Sequence, residues 1–290
     1  MTATTESQKI KNFLLLNLSV LLISTSGPLG RFVTLPPPLT IALRAGLACV
    51  LLFLYCKWMK FSFRLERKVI VPVVVSGLFL GLHWVTYFYA LQWSTVAIGM
   101  LSMYTYPVIT AFMEPILLKT AFQKFHILLG VLVLVGILLL VPEFDFQNSY
   151  TRAIAMGITS AFCYSLRNII MKKHATNYQG SVTMTYQLMM VLVLFIPVWF
   201  MYDLEPIVSF WKPILALAII TTAIGHTLFL QSFKHFSVTT ASIISSAQPV
   251  YGIIAGILFL DEIPAWTTVI GGALILSSVF VENFRSYRSS

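Results

Sequence analysis

Charge is scarce in this chain. Only 10% of its 290 residues are charged while 58% are hydrophobic, and the mean hydropathy is +0.87. Such a balance excludes a soluble domain of this length, which needs far more polar surface. Cysteine is nearly absent: Cys49, Cys56 and Cys163 all fall inside apolar stretches and none stands in C-x-x-C spacing, which argues against a disulfide framework or a thiolate metal site. H-E-x-x-H, G-x-S-x-G and paired acids within an apolar stretch are all missing, so an intramembrane enzyme would lack its reacting groups. No metal, cofactor or catalytic residue is expected. The first apolar stretch is full length with no small-residue cleavage site after it, and reads as a mature span rather than a signal peptide.

What is present is lipid-soluble sequence. Ten apolar stretches, each long enough to cross a hydrocarbon core of about 30 Å as a helix, run over Asn12–Val33, Leu39–Trp58, Val69–Leu91, Thr95–Leu118, His126–Pro142, Thr151–Met171, Ser181–Tyr202, Trp211–Ser232, Val238–Leu260 and Ala265–Phe284. The predicted class is an all-α integral membrane protein with ten transmembrane helices. The net charge of +9 sorts by side rather than forming a patch for nucleic acid. With the N-terminus inside, the inner segments hold Lys9, Lys11, Lys57, Lys60, Arg64, Arg67, Lys68, Lys119, Lys124, Lys172, Lys173, Lys234, Arg285 and Arg288. The outer segments keep Arg31, Arg152 and Lys212 beside Glu143, Asp145, Asp203, Glu205, Asp261 and Glu262. Cations on alternate loops follow the positive-inside rule and predict that both termini are cytoplasmic. Phe61 and Phe63, interleaved with Lys60, Arg64, Arg67 and Lys68, predict an inner loop docked on the membrane surface.

The second half repeats the first. An offset of 142 lays Leu91 through Val108 on Phe233 through Val250 without a gap, matching Val96, Pro107 and Val108 to Val238, Pro249 and Val250, and it sets Gly130 on Gly272. An offset of 143 sets Thr40 and Arg44 against Thr183 and Gln187. A repeat with five spans must enter the membrane from opposite sides in its two copies, so residues 1–145 and 146–290 are expected to form two inverted five-helix repeats. Inverted repeats with an odd number of spans recur in secondary transporters, whose halves exchange conformation to open a midplane site to either side. Ten helices can enclose such a path within one chain, so a functional monomer is expected, with a homodimer as the alternative.

These features carry a resemblance. Ala90-Leu91 closes the third span and Pro107 and Pro249 sit in the fourth and ninth. Pro249-Val250-Tyr251-Gly252 leads through Asp261-Glu262-Ile263 to Gly271-Gly272. In this the chain resembles the drug/metabolite transporter superfamily, in its EamA-like branch. The first copy departs from that pattern, with Lys119-Thr120 in place of the Asp-Glu pair and Glu114-Pro115 inside the helix; this variant, together with His83-Trp84 in the third span, also occurs in a bacterial subgroup. The resemblance implies the two-repeat fold, a place in the bacterial inner membrane, and export of small organic metabolites, with amino acids, aromatic ones included, as the expected substrates. It leaves open a lipid or drug translocase of the same fold, and a facilitator with no coupled ion.

A charged side chain at helix centre costs roughly 2.5–3.5 kcal/mol on insertion scales, so polar residues inside spans point to a wet cavity or a partner. Arg44 in the second span can bind a carboxylate bidentately; its alternative is snorkelling to the outer headgroups. Glu114 shares a helical face with Met103, Pro107 and Thr110 and is a candidate for proton coupling or for a cationic group, against a structural role beside Pro115. His83 and His226 nearly correspond in the repeat and titrate near neutrality, which makes His226 the second proton-coupling candidate; an interhelical hydrogen bond is the alternative for either. By depth, Glu114, Gln187 and His226 form an inner polar layer, and Arg44 with His83 an outer one. Trp84, Tyr87, Tyr104, Tyr164 and Tyr251 are candidates for an aromatic wall, with packing against lipid as the alternative. The pair Gly27-Pro28 and the prolines Pro107 and Pro249 are candidate hinges, and Ser242, Ser245, Ser246, Gly252 and Gly256 permit close helix contact. The expected partners are thus a small-molecule substrate and membrane lipids.

Overall fold

The structure is a computed structural model; it describes residues 3–119, 122, 124–140, 145, 147–236, 241 and 244–289, without the side chains of 3–9, 126, 279 and 282–289. The predicted span ends Pro142 and Val238, and Ser242, lie outside the described residues. Among the described residues all regular structure is helical. In chain order the apolar helices are α1 (Ile10–Phe32), α2 (Pro37–Trp58), α3 (Arg67–Trp93), α4 (Val96–Leu118), α5 (Ile127–Leu140), α6 (Ser149–His174), α7 (Gly180–Met201), α8 (Ile207–Ser232), α9 (Gln248–Leu260) and α10 (Trp266–Ser278). Seven are long and apolar enough to cross a membrane, and α5, α9 and α10 are shorter. The bundle is polar inside and apolar outside: Arg44, Arg167, Asn168 and Gln187 are fully buried, whereas Phe200, Phe259 and Ile263 stand about four-fifths exposed or more. This arrangement suits lipid as solvent.

Proline decides where the helices break. A proline cannot donate to the carbonyl four residues before it, and each break falls just ahead of one. α1 is interrupted at Thr25 before Pro28, and α4 at Tyr104 and Thr105 before Pro107; α7 is interrupted before Val198, next to Pro197, and α9 starts one residue ahead of Pro249. The hinge positions read from the sequence are therefore interruptions of the backbone ladder. Helices Tyr106–Leu118 and Gln248–Leu260 have 13 residues each, begin at residues related by the 142 offset, and end on left-handed caps at Lys119 (φ 55°) and Asp261 (φ 54°). The side chains at these caps differ but the backbone solution is the same.

Helix pairing follows a matching pattern. α3 packs on α6 as α1 packs on α8, α3 on α7 as α2 on α8, and α4 on α6 as α1 on α9; α2–α7, α4–α9 and α5–α10 close the set. At the α5–α10 contact, a Cβ added to Gly136 would lie 2.8 Å from the Gly271 carbonyl oxygen, and one added to Gly271 would lie 2.7 Å from that of Gly136. Reciprocal glycines let the two backbones meet, as small residues do in membrane helix pairs.

Between α2 and α3, Phe63 lies against Phe53 at 5.4 Å and Tyr186 at 6.5 Å, and the Tyr186 hydroxyl donates to the Phe63 carbonyl. Phe63 thus packs on α2 and α7, and Phe61 meets Tyr55 of α2 at 6.1 Å. On the opposite end of the bundle, Glu262 ties the halves together. Its carboxylate accepts from Arg31 Nε at 2.6 Å and from the Val96 backbone N–H, at the start of α4, at 2.7 Å. Glu262→Ala removes an ion pair and the acceptor at a helix N-terminus and is expected to cost about 1–2 kcal/mol. Arg31→Ala leaves the Val96 bond and should cost less. Thermal unfolding in detergent measures both, and equal losses would contradict this division.

Candidate functional site

The interior polar groups gather around two arginines. Arg44 leaves α2 and is fully buried; its Nε donates to Thr222 Oγ1 at 2.6 Å, Nη2 to Thr221 Oγ1 at 2.9 Å and Nη1 to Ser26 Oγ at 3.3 Å. Both threonines lie in the π-helical stretch that α8 forms over Leu217–His226, and both hydroxyls donate back to the Leu217 carbonyl. Such stretches concentrate at functional sites. The guanidinium also lies over the Trp84 ring, 4.1 Å from its centre, a contact that contributes about 2 kcal/mol when desolvated. Snorkelling is therefore not the role of Arg44, which points into the bundle.

The second arginine, Arg167, was absent from the candidates drawn from sequence. It extends from α6, fully buried; Nε donates to Gln187 Oε1 and Nη1 to Asn168 Oδ1, both at 2.9 Å, while Nη2 faces Met184 Sδ at 3.8 Å. The sequence signal was available: the tally of cations by side leaves two of the 19 unassigned, Arg44 and Arg167. Among the described residues neither guanidinium has a carboxylate partner, and every hydrogen bond it makes goes to a neutral atom. A buried charge without a counter-ion costs several kcal/mol, and neutral dipoles offset only part of that.

Aromatic rings join the two arginines. Trp84 and His226, related by the 142 offset, face each other at 5.4 Å. His83 stacks on Tyr164 at 4.5 Å, Tyr164 meets Tyr106 at 4.9 Å, and Arg167 lies 5.9 Å from the Tyr164 ring. Tyr87 and Tyr104 are buried beside them, Tyr104 against Tyr106 at 5.5 Å and Tyr87 within electrostatic reach of Arg44. Trp84 thus links Arg44 of the outer polar layer to His226 of the inner one, and Tyr164 links Arg167 to His83. His83 holds α3 to α6: its Nδ1 lies 2.7 Å from Ser160 Oγ and 3.2 Å from the Ser160 carbonyl, and the Ser160 hydroxyl donates to the His83 carbonyl. A carbonyl can only accept, so Nδ1 carries the proton. Two buried nitrogens in this region, Trp84 Nε1 and His226 Nδ1, have no hydrogen-bond partner among the described residues. Buried polar atoms are normally satisfied, so these point to a ligand.

Two of the candidates stand elsewhere. Tyr251 is 43% exposed and faces outward from α9, so it does not belong to the aromatic wall; Tyr106, at the break in α4, takes that place and pairs its hydroxyl with Ser245. Glu114 is half-buried one turn from the end of α4, and Lys172 of α6 is a charge acting with it. Lys172 also donates to the Phe233 and Phe236 carbonyls at 2.9 and 3.1 Å. This acid therefore belongs to a contact near one end of the bundle. The candidate hinge residue Gly27 is buried against Met100 and Tyr87 at the edge of the cluster.

The sequence matches the EamA-like transporter family over residues 10–141 and again over 151–284. The chain belongs to that family. As an EamA-like transporter it is a multi-pass membrane protein. It is 22% identical over 244 residues to "Pseudopaline exporter CntI" of Pseudomonas aeruginosa, covering 84% of each chain. It is 24% identical over 196 residues to an "Uncharacterized transporter" of Archaeoglobus fulgidus, covering 68% of this chain and 70% of that one. The fold superimposes with a TM-score of 0.71 on a solved structure titled "Crystal structure of protein", which is 20% identical, over 97% of this chain and 99% of the other.

Proposed function

We propose that this EamA-like protein is a secondary transporter of the bacterial inner membrane that moves small organic metabolites, amino acids and their derivatives foremost, by alternating access and in the direction of export. The observation that carries this reading is the buried cluster of Arg44, Arg167, Trp84, His226 and Asn168, contributed by both halves of the chain, in which Trp84 Nε1 and His226 Nδ1 have no partner among the described residues. Arg44, His83, Trp84, Tyr87, Tyr104, Tyr164, Gln187 and His226 line the proposed site. The interruptions at Gly27-Pro28, Pro107 and Pro249 are the proposed hinges. Ten spans in two inverted repeats, at 1–145 and 146–290, are supported by the matching caps of Lys119 and Asp261, by the exchangeable pairing of the helices, and by the two separate family matches. Alternation of cations along the loops supports both termini in the cytoplasm. Export rests on the resemblance to a protein named as an exporter.

Counterflow in proteoliposomes tests the reading. A carrier shows saturable exchange of labelled amino-acid derivatives, whereas flux that rises linearly with concentration would identify a pore and end the proposal. Proton coupling through Glu114 or His226 remains part of it: transport by the wild type is expected to vary between about pH 5.5 and about pH 8, and Glu114→Gln or His226→Gln to flatten that profile. A wild-type profile that is already flat would assign an uncoupled facilitator, and a profile that varies alike in the wild type and both variants would remove Glu114 and His226 from coupling.

A second reading has its own observation. A groove of about 390 Å³ runs between α2, α7 and α8, lined by Leu51, Tyr55, Phe61, Ile219, Leu228 and Gln231. Its apolar walls suit an acyl chain or a hydrophobic drug, and flux restricted to such molecules would favour a translocase.

A further inference from the structure

We propose that the central site is selective for organic dianions, molecules bearing two acidic groups, one taken by Arg44 and the other by Arg167. This rests on the transporter reading and narrows its substrates from amino acids at large to derivatives whose amine carries no charge. The guanidinium has five N–H donors and remains charged in protein interiors. Arg44 commits three of them to hydroxyls of Thr221, Thr222 and Ser26. Arg167 commits two to amide oxygens and turns another toward a sulfur. Both therefore retain N–H groups for a ligand. Trp84 Nε1, without a partner among the described residues, is a donor as well. Donors of this number call for a ligand rich in acceptor oxygens.

The site has no counterpart for a cationic end. Of the ten acids in the chain, Glu114 is the one deep in an apolar stretch; Glu282 stands two residues from the end of the last stretch and the rest lie between or beyond them. Glu114 stands near the end of α4, where Lys172 is a charge acting with it. A zwitterion would bring its ammonium group into an interior that already holds two positive charges. A ligand with two carboxylates neutralises both, and an aryl group attached to it can stack among Trp84, Tyr164 and Tyr106.

Thermal stabilisation of the detergent-purified protein tests this with matched probes: N-benzoyl-glutamate with two carboxylates, N-benzoyl-glutamine with one, phenylalanine as a zwitterion, and phosphatidic acid as a lipid bearing a dianionic headgroup. N-benzoyl-glutamate is expected to raise the midpoint in the wild type, N-benzoyl-glutamine much less and phenylalanine not at all. Arg44→Gln and Arg167→Gln should each abolish the shift, with size-exclusion profiles confirming that both variants remain folded. Arg167→Lys serves as a further variant, expected to weaken the response without removing it, because an ammonium keeps the charge and loses the fork. Stabilisation by phenylalanine equal to that by N-benzoyl-glutamate would overturn dianion selectivity while leaving the transporter reading intact. Stabilisation by phosphatidic acid alone would overturn it in favour of a lipid headgroup. Saturable counterflow of the probe that binds keeps the two questions apart: if binding occurs without exchange, the transporter reading fails and the anion site stands.

Discussion

Arg167→Gln is expected to leave the ligand-free protein as stable as the wild type, or more stable, while lowering substrate affinity about 100-fold. The two effects have one cause. In the free protein the guanidinium is a fully buried charge whose partners are the neutral Gln187, Asn168 and Met184. Replacing a buried, poorly compensated charge by a neutral group of similar shape is often neutral or stabilising. Glutamine can still donate to Gln187 Oε1, and the donor lost at Asn168 Oδ1 offsets part of the gain from removing the charge. In the complex the balance reverses, because a hydrogen-bonded charge pair in a desolvated site is lost; that costs about 2–5 kcal/mol, and about 3 kcal/mol corresponds to a factor of about 100. Thermal unfolding of the free protein and titration with the ligand that stabilises the wild type together check it. A structural arginine would give the opposite pattern, a large fall in midpoint with affinity preserved.

The second large effect belongs to packing. Gly136→Val is expected to destabilise the bundle by about 3 kcal/mol or more, since overpacking a close contact costs about 1–3 kcal/mol even where side chains can yield. Here the obstacle is backbone: a Cβ on Gly136 would meet the Gly271 carbonyl oxygen at 2.8 Å as well as Ile275 Cγ1 at 2.7 Å. Helices α5 and α10 must separate to admit it. Gly271→Val presses on the same contact from the other side, so the double variant should lose less than the sum of the two single losses, as coupled neighbours do. Thermal midpoints of the three variants decide this, and simple additivity would show that the glycines do not share one contact.

The apolar stretches were legible in the sequence because transfer into lipid constrains composition over a whole span, and the helix breaks were legible because proline acts on its own backbone. The caps at Lys119 and Asp261 show how little of a repeat rests on side-chain identity: a lysine and an aspartate close equivalent helices with the same left-handed turn. Arg44, Trp84 and Tyr164 were recognisable as interior groups by the cost of burying charge and by their depth. Arg167 was missed because it precedes Lys172 and Lys173 and merges with the basic end of α6; the helix runs on to His174, which carries the arginine about two turns inside. Thr221 and Thr222 gave no periodic signal, since adjacent positions do not share one helical face, yet both hydroxyls meet the Arg44 guanidinium. Tyr251 failed for the reverse reason: its place after Pro249 suggests the site, but the turn ahead of α9 rotates it outward.

The central claim is that substrate rides between Arg44 and Arg167. Counterflow of labelled N-benzoyl-glutamate into proteoliposomes, comparing the wild type with Arg44→Gln and Arg167→Gln at equal protein incorporation, tests it most directly. The account predicts saturable exchange in the wild type and exchange near the empty-liposome level in both variants. Exchange that persists in both variants at the wild-type rate would contradict it and move the pathway away from the buried arginines.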